Sequence, residues 1–351
     1  MNICIVCGAR PNFIKVAPLL RALQDRQRDF SLVYTGSEND PTLETTLFED
    51  LQIPRPDVFL GVDSQSLNEI TGRVMGEFDR YLENHPADVV IVVDDLASTM
   101  AAAIVTKKRG IRLAHLVAGT RSFDITMPKE VNRLVIDGLS DLLFTAGISS
   151  SSHTNTEGVS QSKVYMVGNI LIDNLRYCHD RWKRPALMDE MKLEEGKYIV
   201  LTVNRKALLN DRENLQRMLT AIAGNVGDTP VVAFIRQVSG IHHYPSPITC
   251  HPSLPYLEFG YLTAHAMGVI TDSGNVAEEA TFNHVPCITL NSYTEHIETV
   301  KVGTNVLVGE DAGMLGEQVA GMVSGHWKHG ELPDRWDGRT AERILQILSE
   351  E

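Results

Sequence analysis

The sequence predicts an α/β protein made of two doubly wound, Rossmann-like domains facing a cleft. Three observations predict it. Short, wholly apolar runs alternate with stretches of helical periodicity, the pattern of a parallel sheet covered on both faces. The alternation occurs twice. Between the two halves, near Asn174–Lys197, lies a polar, charged stretch with no strand signal. With 351 residues and 43% apolar content, the chain can bury two cores. The domains are placed at 1–173 and 174–351.

In chain order, the first half offers strands at Ile3–Cys7, Phe30–Tyr34, Val89–Val93, Arg112–Leu116, Leu142–Phe144 and Val164–Met166. Helical periodicity lies between them at Phe13–Leu23, Leu67–Tyr81, Ser98–Lys107 and Lys129–Leu139. The second half offers strands at Tyr198–Val203, Val231–Phe234, Val269–Thr271, Cys287–Leu290 and Asn305–Val308. Its helices are expected at Arg212–Ala223, Val276–Asn283, Met314–Val323 and Thr340–Leu348, the first opened by a capping box of Asn210 and Glu213.

Composition excludes several functions. A formal charge of −13 repels phosphate backbones and anionic lipid, so neither nucleic acid nor membrane is an expected partner. No run approaches the roughly 18 apolar residues of a membrane span. The first residues lack a basic region and enter a strand directly, unlike a signal peptide, so a cytoplasmic location is expected. Five cysteines are too few and too scattered for a disulfide framework. Cys4 and Cys7 lie three apart on a strand and face opposite ways, which predicts core thiols and no metal site.

Four strand-to-helix junctions carry candidate chemistry. In Cys7-Gly8-Ala9-Arg10-Pro11-Asn12, Gly8 permits a tight turn and Pro11 starts a helix. Arg10 and Lys15 place positive charge at a helix N-terminus, where it is poorly placed for stability but well placed for an anion. A solvated basic helix start is the alternative. In Thr271-Asp272-Ser273-Gly274-Asn275, a hydroxyl and the amides of Gly274 and Asn275 can cradle a pyrophosphate, and Glu279 can reach a ribose. An ordinary serine-capped helix is the alternative here. Asp94 and Asp95 leave a buried strand together, and a helix cap would employ only one of them. Arg121 and Arg133 either bind substrate or pair with local acids, and Glu130 sits in a first helical turn where a carboxylate is favoured in any case.

Together these motifs resemble the non-hydrolysing UDP-N-acetylglucosamine 2-epimerases along essentially the whole chain. The resemblance rests on G-A-R-P-N-F-I-K from Gly8, R-S-F-D-x-x-M-P-x-E-x-N-R from Arg121, Val167-Gly168-Asn169 with Ile172-Asp173, the T-D-S-G run from Thr271, and Thr304–Gly309. It implies a GT-B-like fold whose last helix packs back on the N-terminal domain. It further implies a homodimer, a role in polysaccharide biosynthesis, and no metal or redox cofactor. The implied reaction inverts C2 of a UDP-HexNAc by elimination and re-addition of UDP. Asp95 and Glu130 match catalytic acids, and Arg10, Lys15, Ser273, Gly274 and Glu279 match UDP-binding positions.

The departures fall on the chemistry. Where relatives carry a catalytic glutamate, this chain has Val117, and a histidine expected near the phosphates is Asn204. Arg236 follows a strand where P-V-H is expected, Asn275 replaces a glycine, and Asp94 stands where a glycine precedes the catalytic aspartate. Valine cannot move a proton. Asn204 still donates a hydrogen bond, Arg205 and Arg236 carry charge, and Asp94 is a candidate substitute acid. Three readings follow: a 2-epimerase for UDP-GlcNAc or a modified UDP-sugar, a UDP-sugar-binding paralogue without epimerase activity, or an enzyme releasing UDP and free sugar by hydrolysis.

Overall fold

Val89–Val93 reads VVIVV, and all five of its residues are buried. Branched side chains of this kind fit a pleated surface covered on both sides, and each long apolar run forms such a strand. A computed structural model describes residues 1–157, 163–236 and 244–350. The chain divides into two units, Met1–Arg176 with Asp334–Glu351, and Tyr177–Pro333.

The first unit alternates strands β1 (Ile3–Cys7), β2 (Phe30–Tyr34), β3 (Val58–Phe59), β4 (Val89–Val93), β5 (Arg112–Ala118), β6 (Leu142–Thr145) and β7 (Lys163–Met166) with helices α1 (Arg10–Asp25), α2 (Thr45–Leu51), α3 (Leu67–Asn84), α4 (Ala97–Lys108), α5 (Pro128–Leu139), α6 (Ile148–Glu157) and α7 (Ile170–His179). Its sheet is parallel in the order β3-β2-β1-β4-β5-β6-β7. The order reverses between β1 and β4. The two chains leaving that point open a crevice beyond the carboxyl ends of the strands.

The second unit carries β8 (Ile199–Val203), β9 (Val231–Ile235), β10 (Ile248–Cys250), β11 (Gly268–Thr271), β12 (Cys287–Thr289) and β13 (Asn305–Leu307). Its helices are α8 (Leu187–Glu190), α9 (Lys206–Asn210), α10 (Arg212–Asn225), α11 (Tyr256–Ala264), α12 (Gly274–Phe282), α13 (Ile297–Lys301) and α14 (Ala312–Val323). The parallel order β10-β9-β8-β11-β12-β13 reverses between β8 and β11. Alternation along β8 separates two cores. Ile199, Leu201 and Val203 pack with α10 and α14, whereas Val200 packs with α12 on the other face.

The closing helix α15 (Thr340–Glu350) belongs to the first unit and lies against α1. Asp173 Oδ2 accepts the Ala341 N–H at 2.8 Å, and Arg343 donates to the Val167 carbonyl at 2.9 Å. Among the described residues no helix is long and apolar enough to cross a membrane.

Three local expectations are corrected. Asn210 ends α9, and α10 is capped instead by Asp211, whose carboxylate accepts the Asn214 N–H at 3.1 Å. The polar stretch from Asn174 opens inside α7, because Leu171, Leu175 and Cys178 form a buried helical stripe. Gly8 is required by space more than by turn geometry, since a Cβ there would lie 2.2 Å from Ser98 Oγ. Cys4 and Cys7 are both buried free thiols.

Candidate functional site

The two acids that follow β4 part company at once. Asp94 has φ +58°, a left-handed conformation that costs a non-glycine residue energy. That twist turns its carboxylate towards α1. Lys15 Nζ meets Asp94 Oδ1 at 2.6 Å, and Asn12 Nδ2 donates to Oδ2 at 2.8 Å. Asn12 Oδ1 in turn accepts the Gly8 N–H at 2.9 Å. The start of α1 is therefore latched to the β4–α4 turn, and of the two cations expected to receive an anion there, Lys15 already holds an internal partner. Neither acid caps α4, whose N-cap is Leu96.

Asp95 points the other way, to α5. Arg133 donates from Nε and Nη2 to Asp95 Oδ2 at 2.9 and 2.5 Å, and from Nη1 to Glu130 Oε2 at 3.1 Å. The guanidinium is 2% exposed, so this is a buried ion triad. Lys129 stands 3.5 Å from Asp95 Oδ1, and Asn132 Nδ2 donates to the Asp95 carbonyl at 2.8 Å. Burial alone would raise the Asp95 pKa, but Lys129 and Arg133 outweigh it and hold the carboxyl below its usual range.

Glu130 is similarly engaged. Its Oε2 also accepts from the Ser122 N–H at 2.8 Å and the Ser122 hydroxyl at 2.9 Å, while Oε1 accepts from the Phe123 N–H at 3.2 Å. Burial is again outweighed, here by the donors from Ser122, Arg133 and Phe123, and the pKa is lowered. Both candidate acids are thus ionised carboxylates at neutral pH. A proton reaching either must compete with a guanidinium, so each is a weak base in this arrangement.

A buried network supports the turn from beneath. His115 Nδ1 lies 2.5 Å from Asp137 Oδ1, and its Nε2 faces the Asp94 carbonyl at 2.9 Å. Asp137 also takes Arg121 at 2.7 Å and the Gly119 N–H at 3.1 Å. Arg121 and Arg133 are both paired with local acids. Val117 sits one strand away from Asp94. Val93 is registered with Leu116, and the strand then breaks register between Leu116 and Ala118. Val117 there has φ +70°, an outlier for a β-branched residue.

In the second unit the candidate residues follow β8, β9 and β11. Asp272 Oδ2 accepts the backbone N–H groups of Asn204 and Arg205 at 2.8 and 2.7 Å, fixing that turn. Burial pushes the Asp272 pKa up despite those bonds. Arg205 donates to the Leu290 carbonyl at 3.0 Å and pairs with Glu310. Ser273 is the N-cap of α12, but its side chain makes no capping hydrogen bond. Gly274 lies close under His296, where a Cβ would come within 3.0 Å of the ring. Glu279 is buried in α12, and Asn204 and Arg236 are exposed. Among the described residues no cluster of three or more His, Cys, Asp or Glu could hold a metal.

The fold brings Arg10, Lys15, Asp94 and Asp95 to the β1/β4 switch point, with Glu130 tied to it through Arg133. It brings Asn204, Arg205, Ser273, Gly274 and Asn275 to the β8/β11 switch point. Sequence reasoning missed Asn12, Asp137 and Asp272 as the residues that hold these turns. The signal was present for one of them: Glu130, Arg133 and Asp137 recur at helical spacing on one face of α5.

The family model for UDP-N-acetylglucosamine 2-epimerase matches residues 21–349. The UDP-N-acetylglucosamine 2-epimerase of Methanocaldococcus jannaschii is 31% identical, with 99% of each chain covered. The UDP-2,3-diacetamido-2,3-dideoxy-D-glucuronate 2-epimerase of Pseudomonas aeruginosa is 31% identical over 90% of this chain and 91% of its own. A crystal structure of the M. jannaschii UDP-GlcNAc 2-epimerase with UDP-GlcNAc and UDP covers both chains fully, at 30% identity and a TM-score of 0.88. The fold class is accordingly α/β and GT-B-like. The chain belongs to the UDP-N-acetylglucosamine 2-epimerase family.

Proposed function

We propose that this protein inverts C2 of a UDP-N-acetylhexosamine by eliminating and re-adding UDP. The observation that carries the reading is the Asp95–Arg133–Glu130 triad beyond the end of β4 in a chain of this family. A carboxylate takes the C2 proton while the C1–O bond breaks, its electron pair leaving on UDP. The product is a 1,2-unsaturated sugar. UDP then adds back to C1 as a proton returns to C2 on the other face, and no electrons are gained or lost overall. Asp95, Glu130 and Asp94 are the proposed proton carriers. Arg10, Lys15, Asn204, Arg205, Arg236, Ser273, Gly274, Asn275 and Glu279 are the proposed binding set. The uncapped start of α12 supports a place there for a phosphate. We further propose a cytoplasmic homodimer serving polysaccharide synthesis, on the family resemblance; light scattering of the purified protein reads the dimer directly.

The valine at 117 and the diacetamido-glucuronate epimerase among the relatives favour a second reading, a 2-epimerase for a differently substituted UDP-sugar. An NMR time course in deuterated water separates the two. Deuterium at C2 of UDP-GlcNAc with accumulation of UDP-ManNAc establishes the first. Binding of UDP-GlcNAc without exchange, followed by exchange on a diacetamido UDP-sugar, establishes the second. Binding without exchange on either sugar refutes the first reading and the diacetamido form of the second.

A further inference from the structure

We propose that Phe123 contacts the N-acylhexosamine part of the nucleotide sugar and sets the protein's affinity for it; this rests on the UDP-sugar reading above. Phe123 is 72% exposed, yet it is not a loose side chain. Its backbone is held at φ +61°, a conformation disfavoured for a bulky residue. The hold comes from Glu130, one of the proposed proton carriers, whose carboxylate accepts the Phe123 N–H at 3.2 Å and both Ser122 donors. On the far side of the loop, Asp124 Oδ1 ties back the Thr126 N–H at 3.0 Å and the Thr126 hydroxyl at 2.6 Å.

The ring has one prepared support. It meets the His153 ring edge-on at 5.0 Å and 86°. His153 is fixed in turn, its Nδ1 lying 3.0 Å from the Gly119 carbonyl. That carbonyl is an acceptor only, so Nδ1 carries the proton. A ring this exposed buries little apolar surface, so stability is a weak reason for locking it on a strained backbone. Such strain persists where the surroundings over-determine it, and it concentrates at ligand clamps. The same carboxylate that holds Phe123 accepts from the Arg133 guanidinium, which also pairs with Asp95, so the Phe123 backbone is tied directly to the proposed proton carriers. The apolar C–H face and acyl methyl of an N-acylhexosamine suit a pre-positioned aromatic surface, and free UDP has neither.

The test compares two ligands on Phe123→Ala, Phe123→Trp and the unmodified protein by titration calorimetry. UDP-GlcNAc affinity is expected to fall about tenfold or more in Phe123→Ala, to recover in Phe123→Trp, and UDP affinity to stay within about twofold in both. Equal affinities of Phe123→Ala and the unmodified protein for UDP-GlcNAc overturn the proposal. An equal loss for UDP and UDP-GlcNAc also overturns it, since the ring then serves only the loop. A change in oligomeric state with both affinities unmoved assigns the ring to a protein interface. An unmodified protein that binds neither ligand sinks the UDP-sugar reading itself, and this inference with it.

Discussion

Arg133→Met removes the guanidinium shared by Asp95 and Glu130 while keeping most of its volume. Three charge-assisted hydrogen bonds disappear, and the carboxylates left behind have side chains only 13% and 3% exposed. Breaking a buried ion network from one side costs about 3–5 kcal/mol, because the surviving charge stays desolvated. For a unit of this size each kcal/mol is worth about 2–4 °C, so its unfolding midpoint should fall by about 6–20 °C at neutral pH. The pH dependence carries the sharper test. In the native protein both carboxyls are held below their usual pKa. Their stabilisation is present above the unfolded values near 4 and is lost as pH falls through the folded ones. Without Arg133, burial faces less opposition and both pKa values rise, Glu130 keeping its Ser122 and Phe123 donors and Asp95 keeping Lys129. The penalty is then largest at neutral pH, where both groups must stay ionised, and shrinks as acid protonates them. Thermal unfolding of both proteins between pH 7 and 4 measures the gap. A gap that stays constant across that range, or is absent at pH 7, refutes the triad as an electrostatic unit.

Three further expectations follow from the same geometry. Asp94→Ala breaks the buried pair with Lys15 and should cost about 3–5 kcal/mol, whereas Asp94→Gly should cost about 1 kcal/mol less because glycine accepts φ +58°; urea unfolding that ranks alanine above glycine contradicts this. Arg10→Ala should weaken UDP binding by about 1.5–3 kcal/mol, the worth of a charge-assisted hydrogen bond, and unchanged calorimetric affinity removes Arg10 from the phosphate site. Val117→Glu places a carboxylate one strand away from Asp94 without altering the backbone strain already present. Deuterium exchange at C2 of UDP-GlcNAc should rise on the order of 10²-fold, and no rise would show that position 117 does not limit the reaction.

Much of the fold was legible because its long strands are uninterrupted apolar runs. Several of the elements that were not foreseen lack such a signal. β3 and β10 are two- and three-residue edge strands, too short to show a period. α6 is written almost entirely in serine, threonine and other weak helix formers. The site was legible as positions and not as partners. Acids leaving a buried strand announce themselves, and Asp94 and Asp95 were found that way, whereas Glu130 was found through the motif it shares with the family. Their partners were obscured by α5, which inverts the usual rule. It buries Glu130, Asn132, Arg133 and Asp137 and exposes Val131 and Leu134. A reading that places apolar residues inside assigns that helix the wrong inner face. The cap of α10 shows a smaller limit: Asn210 and Asp211 are adjacent and chemically equivalent as caps, so sequence alone does not choose between them.

Positions 94 and 117 bear on what the departures from the family motif mean. Both lie at the ends of neighbouring, registered strands, and both have left-handed backbone. The bulge at Val117 persists with no side-chain polar group to hold it, so its shape is set by the β5 break and by the Asp137 bonds to His115 and Gly119 just around it. A valine at 117 is therefore compatible with the framework around it. Asp94 adds a carboxylate one strand away, but hands it to Lys15. Under the proposed function these two facts are linked. A phosphate that engages Lys15 competes with Asp94 for the same ammonium, and an acid displaced from that pair becomes available to the sugar. Tight UDP binding and proton transfer at Asp94 then draw on one contact. Asp94→Asn should consequently improve UDP affinity while slowing exchange at C2, whereas a purely structural latch would weaken both.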